Sequence, residues 1–407
     1  MNTNKFLWIY LEPYTFVFKG VNQRVLYNSL NAAYYSYSND LVMEILDHLL
    51  DEKNGYCISV DIFLLKEKEI IQFIRDIRSS YSGDIVVNDK SDRLPFVFRP
   101  EVRLNNDIAR IKEEEGYSLG DNILENLNEV TFFIPGYCQE NCSECSSYYK
   151  QFIHCHKWEE DEEKLSKNEY KDFFTQLESC GVKVINVVFC NILDNKYLSL
   201  LEYLSRMSFT VYAYVSIKNI NSKIDFSLSK NINLCILIPP KYPLSEIKNR
   251  KSKIKSNQIS FIHIIESYEN NIFNDTENET NTFLIPYYNG GNLSFFEKNV
   301  YIELEDLLSI IVDRQTIYRR KFVNENFYGK LYISPSGNIY SNINSSPLGN
   351  IRKDELGKVV YNEMVDSKRW LLTRAKTKCK DCPNQLLCPS ISNYELVIGR
   401  TLCHLMS

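Results

Sequence analysis

Three closely spaced cysteines are the first residues of this chain that could do chemistry. Cys138, Cys142 and Cys145 form the pattern Cys-x3-Cys-x2-Cys, and Cys155 comes ten residues after the third. The apolar stretch VTFFI precedes them, and a loop at the carboxyl end of a strand is a common place for a site in a parallel sheet. Thiolates are soft ligands that suit iron–sulfur clusters and zinc. The spacing therefore predicts a metal centre.

A second group of cysteines lies near the carboxyl end. Cys379, Cys382, Cys388 and Cys403 follow the pattern Cys-x2-Cys-x5-Cys-x14-Cys. Four thiols of this kind predict a second metal centre, which either zinc or an iron–sulfur cluster would satisfy. The remaining cysteines lie in or beside apolar strands and are interpreted as small core residues: Cys57, Cys180, Cys190 and Cys235.

Composition excludes several classes of protein. The 407 residues include 47 basic and 52 acidic side chains, a net charge of -5, so no polybasic field indicates a nucleic acid or an anionic membrane as partner. No apolar run is long enough for a signal peptide or a membrane span, and we expect a cytoplasmic protein. Twelve cysteines in a reducing compartment are typical of metal ligands or core residues rather than disulfides.

The apolar pattern divides the chain into four segments. Residues 1–90 carry aromatic and β-branched runs followed by two amphipathic helices, the first capped by Asn39 or Asp40, which predicts a small α+β module. Residues 91–127 are polar and form a linker. Residues 128–326 alternate six apolar strands with helices, which predicts a parallel sheet in an α/β fold, either open or part of a barrel. Residues 327–407 carry a hairpin that turns at Ser336 and Gly337, a helix near Trp370 and the cysteine-rich tail.

The strand VTFFI, the Cys-x3-Cys-x2-Cys motif and the βα repeat together resemble the radical SAM superfamily over residues 128–300. This resemblance implies a partial (β/α) barrel. It also implies a [4Fe-4S] cluster on Cys138, Cys142 and Cys145, with S-adenosylmethionine (SAM) on the fourth iron.

The chain departs from that superfamily at two places. The Gly-Gly-Glu stretch that receives the methionine amine of SAM is replaced by residues 190–194, where Asn191 or Asp194 would have to substitute for the glutamate. Glu144 stands where an aromatic residue usually precedes the third cysteine. SAM binding is therefore in question.

Cys155 has three alternative interpretations. As a fourth thiolate it would complete the cluster and close the iron that must stay open for SAM. As a helix thiol it would be a core residue. His154 and His156 flank it and could bind zinc together with the triplet, although neighbouring helix residues point apart.

Further resemblances cover the two ends of the chain. The stretches YISPSGNIYSN and SPLGNI, Trp370 and the four-cysteine tail resemble the SPASM domain, in which Ser341 lies near a usual cysteine position. Residues 1–90 resemble a RiPP recognition element, a winged-helix-like module that binds a precursor leader peptide along an exposed strand edge. We expect that edge between Phe6 and Tyr37.

The whole chain resembles the pseudo-radical-SAM proteins of the GG-Bacteroidales system, through WIYLEPYTFVF, YCISVD, CSSYYKQFIHC and LCPSISNYELVIGRTLCHL. The resemblance implies two partners, a Gly-Gly precursor peptide and a radical SAM/SPASM enzyme of the same cassette. It favours an iron–sulfur accessory protein with one or two [4Fe-4S] clusters. The alternatives are an active radical SAM enzyme that forms a 5'-deoxyadenosyl radical and a zinc-stabilised scaffold. No catalytic acid, base or nucleophile is predicted.

Overall fold

The computed structural model describes residues 6–88, 123–136, 150–153, 158, 163–189, 195–220, 224–226, 230–240, 242–256, 258–267, 281–366 and 369–405. The fold is mixed α/β, with a large, mostly parallel sheet of nine strands, as the alternating pattern predicts.

Strands and helices are numbered in chain order. The strands are β1 (Phe6–Leu11), β2 (Thr15–Lys19), β3 (Arg24–Asn28), β4 (Tyr34–Tyr37), β5 (Cys57–Val60), β6 (Gly83–Asn88), β7 (Glu129–Phe133), β8 (Val184–Phe189), β9 (Thr210–Ser216), β10 (Ile224–Phe226), β11 (Ile232–Ile238), β12 (Ile254–Ser256), β13 (Ile259–Ile265), β14 (Thr282–Pro286), β15 (Lys330–Ile333), β16 (Asn338–Tyr340) and β17 (Gly349–Asn350). The α-helices are α1 (Asp40–Leu50), α2 (Lys68–Ser79), α3 (Lys167–Ser179), α4 (Asn195–Leu204), α5 (Leu244–Lys251), α6 (Leu293–Asn299), α7 (Leu304–Leu308), α8 (Arg314–Phe322), α9 (Leu356–Asp366) and α10 (Asn393–Ile398). Short 3-10 helices cover Glu52–Asn54, Ile62–Lys66, Ile123–Asn126, Ile217–Asn219, Arg374–Lys376 and Lys378–Asp381.

The amino-terminal segment builds two small antiparallel sheets. One has the order β5-β1-β6 and the other β2-β3-β4. Helix α1 begins as predicted at Asn39, whose side chain accepts hydrogen bonds from the backbone of Leu41 and Val42. Its buried residues recur at helical spacing and pack with α2, β1 and β5 in one apolar core.

The sheet β2-β3-β4 is apolar on both faces. Because successive side chains of a strand point to opposite faces, Leu26 packs into the core formed with α1 and α2, while Val25 and Tyr27 pack on the other face. The residues on that second face meet residues from α8 and the cysteine-rich tail, including Ile317 and Leu387. The two ends of the chain are therefore joined through this sheet.

All six strands predicted in the segment 128–326 are present. They are consecutive parallel neighbours in the order β14-β13-β11-β9-β8-β7. Helix α3 covers one face, where Phe132 meets the ring of Phe174 at 4.8 Å between centroids. This face carries the largest apolar core of the described residues.

The predicted hairpin forms at Gly337, which has a positive φ of 88°. Its first strand, β15, pairs in parallel with β7, and β16 and β17 continue the same sheet in antiparallel fashion. The carboxy-terminal segment is thus continuous with the large sheet. The indole of Trp370 strengthens this connection by donating to the carbonyl oxygen of Lys330 at 2.9 Å.

The other face of the large sheet carries a polar network next to β7. The amide of Asn186 donates to Glu129 at 2.6 Å and to Thr131 at 3.2 Å, and Lys330 lies 3.4 Å from Glu129. Thr131 and Asn186 are almost completely buried. Buried polar groups in satisfied networks fix strand pairing, because a shift of register would leave them unpaired.

We predict that Phe132→Ala lowers the free energy of unfolding by about 3–5 kcal/mol, because it leaves a cavity in the main core. Phe283→Ala on β14 makes the same change at a side chain that is 55% exposed and should cost no more than about 0.5 kcal/mol. Urea unfolding followed by tryptophan fluorescence compares the two variants. Equal losses would contradict this account of the core.

Candidate metal centre and strand-edge groove

The structure describes one of the two predicted cysteine groups. Cys379, Cys382, Cys388 and Cys403 lie within the described residues and form no disulfide. The other predicted metal and SAM ligands lie outside the described residues: Cys138, Cys142, Cys145, Cys155, Asn191 and Asp194. Of the cysteines interpreted as core, Cys57 and Cys235 are buried and Cys180 is partly buried, while Cys190 lies outside the described residues.

Local hydrogen bonds fold the chain between Cys379 and Cys388 into two turns. A tight turn places Cys382 after Cys379, with the amide of Cys382 donating to the carbonyl oxygen of Cys379 at 3.0 Å. A second turn returns the chain to Cys388, whose amide donates to the carbonyl oxygen of Asn384 at 3.0 Å. Cys403 arrives from a distant segment, which pairs as a parallel β-bridge with Ile302.

Burial and charge on nearby thiols raise the pKa of two of the four cysteines. Burial raises the pKa of Cys388 to about 12, and negative charge on Cys379, Cys382 and Cys403 adds to this shift. Burial also raises the pKa of Cys382, and charge on Cys379 and Cys403 raises it further. Such mutual effects require neighbouring groups, since charge interactions weaken with distance. The charge interactions indicate that Cys379, Cys382, Cys388 and Cys403 lie in one region of the structure, and we call these four residues the four-cysteine cluster.

Three of the four sulfur atoms accept N–H hydrogen bonds. The amide of Leu405 donates to Sγ of Cys403 at 3.2 Å, and Nη1 of Arg374 lies 3.7 Å from Sγ of Cys379. A backbone hydrogen bond from Asn384 lowers the pKa of Cys382 and opposes the effect of burial. Hydrogen bonds to the charged form favour the thiolate, which is the form that binds a metal.

Arg374 is held firmly beside the cluster. Its side chain is 7% exposed, and it pairs with Glu395 at 3.1 Å. Its Nε donates to the carbonyl oxygen of Pro389 at 2.6 Å. Glu395 in turn belongs to the capping box of α10 with Ser392. The guanidinium is therefore fixed as a hydrogen-bond donor and a positive charge next to the thiols.

The donor chemistry of the four-cysteine cluster fits a soft cation. Within the described ranges, no three His, Cys, Asp or Glu side chains are already spaced as metal ligands, so the thiols would have to move together around a metal. Four thiolates suit either zinc or an iron–sulfur cluster. Ser341, near the position where the resemblance to SPASM domains would place a cysteine, is buried, and its hydroxyl finds no partner within the described part of the chain.

A groove follows the open edge of β2. One part of it is lined by Leu11, Glu12, Pro13, Thr15, Phe16, Val17, Phe18, Leu50, Tyr56, Ile317, Tyr318, Lys321 and Leu386. The other part is lined by Val17, Phe18, Lys19, Gly20, Val21, Lys380, Asp381, Gln385 and Leu386. The two parts share Val17, Phe18 and Leu386, and we call them together the β2 groove.

Backbone groups of β2 face this groove. The β2–β3 hairpin is closed by a hydrogen bond from Gly20 to Gln23 at 2.9 Å. Alternation along the antiparallel ladder then turns the backbone of Phe16 and Phe18 towards β3 and that of Val17 and Lys19 outward. In the described sheet order, β2 is an edge strand. The expected strand edge between Phe6 and Tyr37 is therefore present on β2, with a groove beside it.

Sequence reasoning missed Arg374, Asn384 and the wall of the groove formed by α8. The Pro383–Asn384 pair is a turn signal that could have identified a chain reversal between two cysteines. No comparable signal marks Arg374 or α8, because their roles depend on contacts between distant segments.

Comparisons with known proteins leave the chain unassigned. No protein-family profile matches it. No curated protein matches it with significance. Within the described ranges, no helix has both the length and the apolar character needed to cross a bilayer.

We predict a strong order of thiol reactivity in the metal-free protein. Cys388, with its pKa of about 12, should react with iodoacetamide at pH 8 much more slowly than Cys382 or Cys403, which are partly exposed. Its rate should rise about tenfold for each pH unit below that pKa, because the thiolate fraction rises by the same factor. Peptide mapping by mass spectrometry measures each site, and urea-unfolded protein is the control. Equal rates in the folded protein would contradict the burial described above.

Proposed function

We propose that this chain is an accessory protein of a ribosomal peptide modification system. In this proposal the β2 groove holds the precursor leader peptide as an added strand, and the four-cysteine cluster holds a metal centre. The observation that carries the proposal is the edge strand β2 with outward-facing backbone groups and a groove beside it. The sequence resemblance to pseudo-radical-SAM proteins supplies the chemical context.

Strand addition suits the β2 groove for a physical reason. A peptide that pairs with the backbone of Val17 and Lys19 would gain main-chain hydrogen bonds whatever its sequence. Its alternate side chains would face the two walls, one near Leu50 and Tyr56 and the other near Ile317 and Tyr318. The groove would select apolar side chains at alternate positions of the peptide.

The metal centre is proposed as iron–sulfur, with zinc as the alternative. A [4Fe-4S] cluster bound by four thiolates would give the protein a structural or electron-transfer group. Cys379, Cys382, Cys388 and Cys403 would hold it, and the N–H donors of Arg374, Asn384 and Leu405 would stabilise the thiolates. A second cluster is proposed at Cys138, Cys142 and Cys145, with Cys155 as a fourth ligand.

The fold is compatible with the proposed ancestry. Six consecutive parallel strands with intervening helices support a partial barrel of radical SAM type, and β7 ends at Phe133, shortly before Cys138. The amino-terminal sheets and helices are proposed as a winged-helix-like recognition module, and the hairpin with the cysteine tail as a SPASM-like segment. A radical SAM/SPASM enzyme of the same cassette is the proposed protein partner.

The peptide proposal predicts that Val17→Pro abolishes leader binding, because proline removes an N–H from the open edge of β2. The matched control is Ser36→Pro on β4, whose N–H faces outward at the opposite edge by the same alternation. Fluorescence anisotropy with the labelled leader of the cassette's Gly-Gly precursor measures the affinity. We expect at least a tenfold loss for Val17→Pro and little change for Ser36→Pro. The reverse pattern, or no binding by the wild type, would overturn the peptide proposal.

The metal proposal predicts that anaerobically purified protein contains iron and sulfide, and that Cys382→Ser removes about four of each. Cys57→Ser is the control, since that thiol is buried on β5 and is not one of the four cysteines. The EPR signal of the reduced protein should be unchanged by SAM, and no 5'-deoxyadenosine should form. A SAM-dependent signal with cleavage would favour the active enzyme, and zinc in place of iron would favour the scaffold.

A further inference from the structure

One hydrogen bond connects the amino-terminal sheet directly to the four-cysteine cluster. The hydroxyl of Tyr34, on β4, donates to Oδ1 of Asn384 at 3.0 Å across 350 residues of sequence. Burial raises the pKa of Tyr34, the bond to Asn384 lowers it, and negative charge on Cys382 and Cys388 raises it further. The tyrosine hydroxyl therefore joins β4 to the turn between Cys382 and Cys388.

Asn384 contacts the cluster through its backbone as well. Its carbonyl oxygen accepts the amides of Leu387 and Cys388 at 2.9 and 3.0 Å. Its own N–H donates to the sulfur of Cys382. The residue is 7% exposed. A shift of Asn384 would consequently disturb Cys382, Cys388 and the bond to Tyr34 together.

Apolar contacts make this connection tight. Leu387, between Asn384 and the end of the cysteine loop, is 1% exposed and packs in the core that contains Phe18 and Val25. Gly20 approaches Pro383 so closely that a Cβ atom there would lie 3.0 Å from Cδ of the proline. The loop that carries three of the cysteines thus rests on the sheet whose edge forms the β2 groove.

We propose that Tyr34 is a positioning residue that couples metal binding at the four-cysteine cluster to the order of the sheet β2-β3-β4. Metal binding would draw the cysteines together and fix Asn384, which would then hold β4 through the tyrosine hydroxyl. By linkage, a strand added at β2 would favour metal binding to the same degree. This inference rests on the metal centre of the proposed function, and it adds a route between the two sites.

The test uses full-length protein, with Co²⁺ as a probe of thiolate coordination and Zn²⁺ as a competitor. Tyr34→Phe removes only the hydroxyl, and Tyr35→Phe makes the same change on the opposite face of β4, where the ring packs towards the α1–α2 core. We expect Tyr34→Phe to weaken metal affinity about three- to tenfold, as for loss of one hydrogen bond. Tyr35→Phe should leave the affinity unchanged.

Hydrogen exchange with and without Zn²⁺ supplies a readout that a local packing defect would not reproduce. In the wild type, the metal should slow exchange in residues 379–388 and also in residues 24–37. In Tyr34→Phe, the protection of residues 379–388 should remain and the protection of residues 24–37 should be lost. In an Asn384→Ala background, Tyr34→Phe should cause no further loss of affinity.

The outcomes distinguish an incorrect metal centre from an incorrect coupling. If the wild type shows no thiolate–cobalt absorption and the anaerobically purified protein contains no iron, the metal centre is wrong and the coupling falls with it. If the wild type binds metal and Tyr34→Phe matches it in affinity and in exchange, the coupling alone is wrong. Equal losses in Tyr34→Phe and Tyr35→Phe would also overturn the coupling, because they would indicate general damage to β4.

Discussion

The structure depends on one constraint, which is that the small sheet β2-β3-β4 must be covered on both faces. Its strands alternate apolar side chains so that Leu26 faces the α1–α2 core and Tyr27 faces the carboxy-terminal segment. Tyr27 is completely buried, and its hydroxyl accepts the amide of Val312 at 2.8 Å. Neither the helices α1 and α2 nor the carboxy-terminal segment alone would remove both apolar faces of this sheet from water. The amino-terminal and carboxy-terminal segments therefore stabilise each other.

The large sheet holds the cysteine-rich tail from the other side. Strand β15 extends the parallel sheet beyond β7, and Trp370 is fixed to Lys330 at the start of that strand. Asn324 donates from its side chain to the carbonyl oxygens of Leu372 and Ile391, on both sides of the first three cysteines of the cluster. The four-cysteine cluster thus lies between a parallel sheet and an antiparallel one. A metal at the proposed site would therefore be linked to both sheets.

Features with a local cause could be predicted from the sequence. The helical spacing of α1 and its cap at Asn39, the six parallel strands and the turn at Gly337 depend on nearby residues, and each is present. Four cysteines at metal-ligand spacing could be recognised in the sequence, but within the described ranges no three of them are arranged as metal ligands. The β2 groove could be predicted only in part, because aromatic and β-branched runs indicate a strand edge but no local pattern indicates the second wall on α8. The contact of Tyr34 with Asn384 joins segments too distant for any periodic pattern to relate them.

Hydrogen bonds to sulfur stabilise the thiolates of the four-cysteine cluster more than the positive charge of the neighbouring arginine does. Arg374 is the cation next to the thiols, but its charge is offset by the equally buried Glu395. Four thiolates around one metal centre would therefore keep a net negative charge inside the protein, which burial disfavours. The N–H groups of Leu405 and Asn384, together with the guanidinium, compensate by donating to sulfur without adding a second buried cation. Since two of these donors are backbone groups, their alignment depends on the turns around them. The turn at Asn384 is held by Tyr34, and so the ability of the cluster to carry charge is tied to the packing of the amino-terminal sheet.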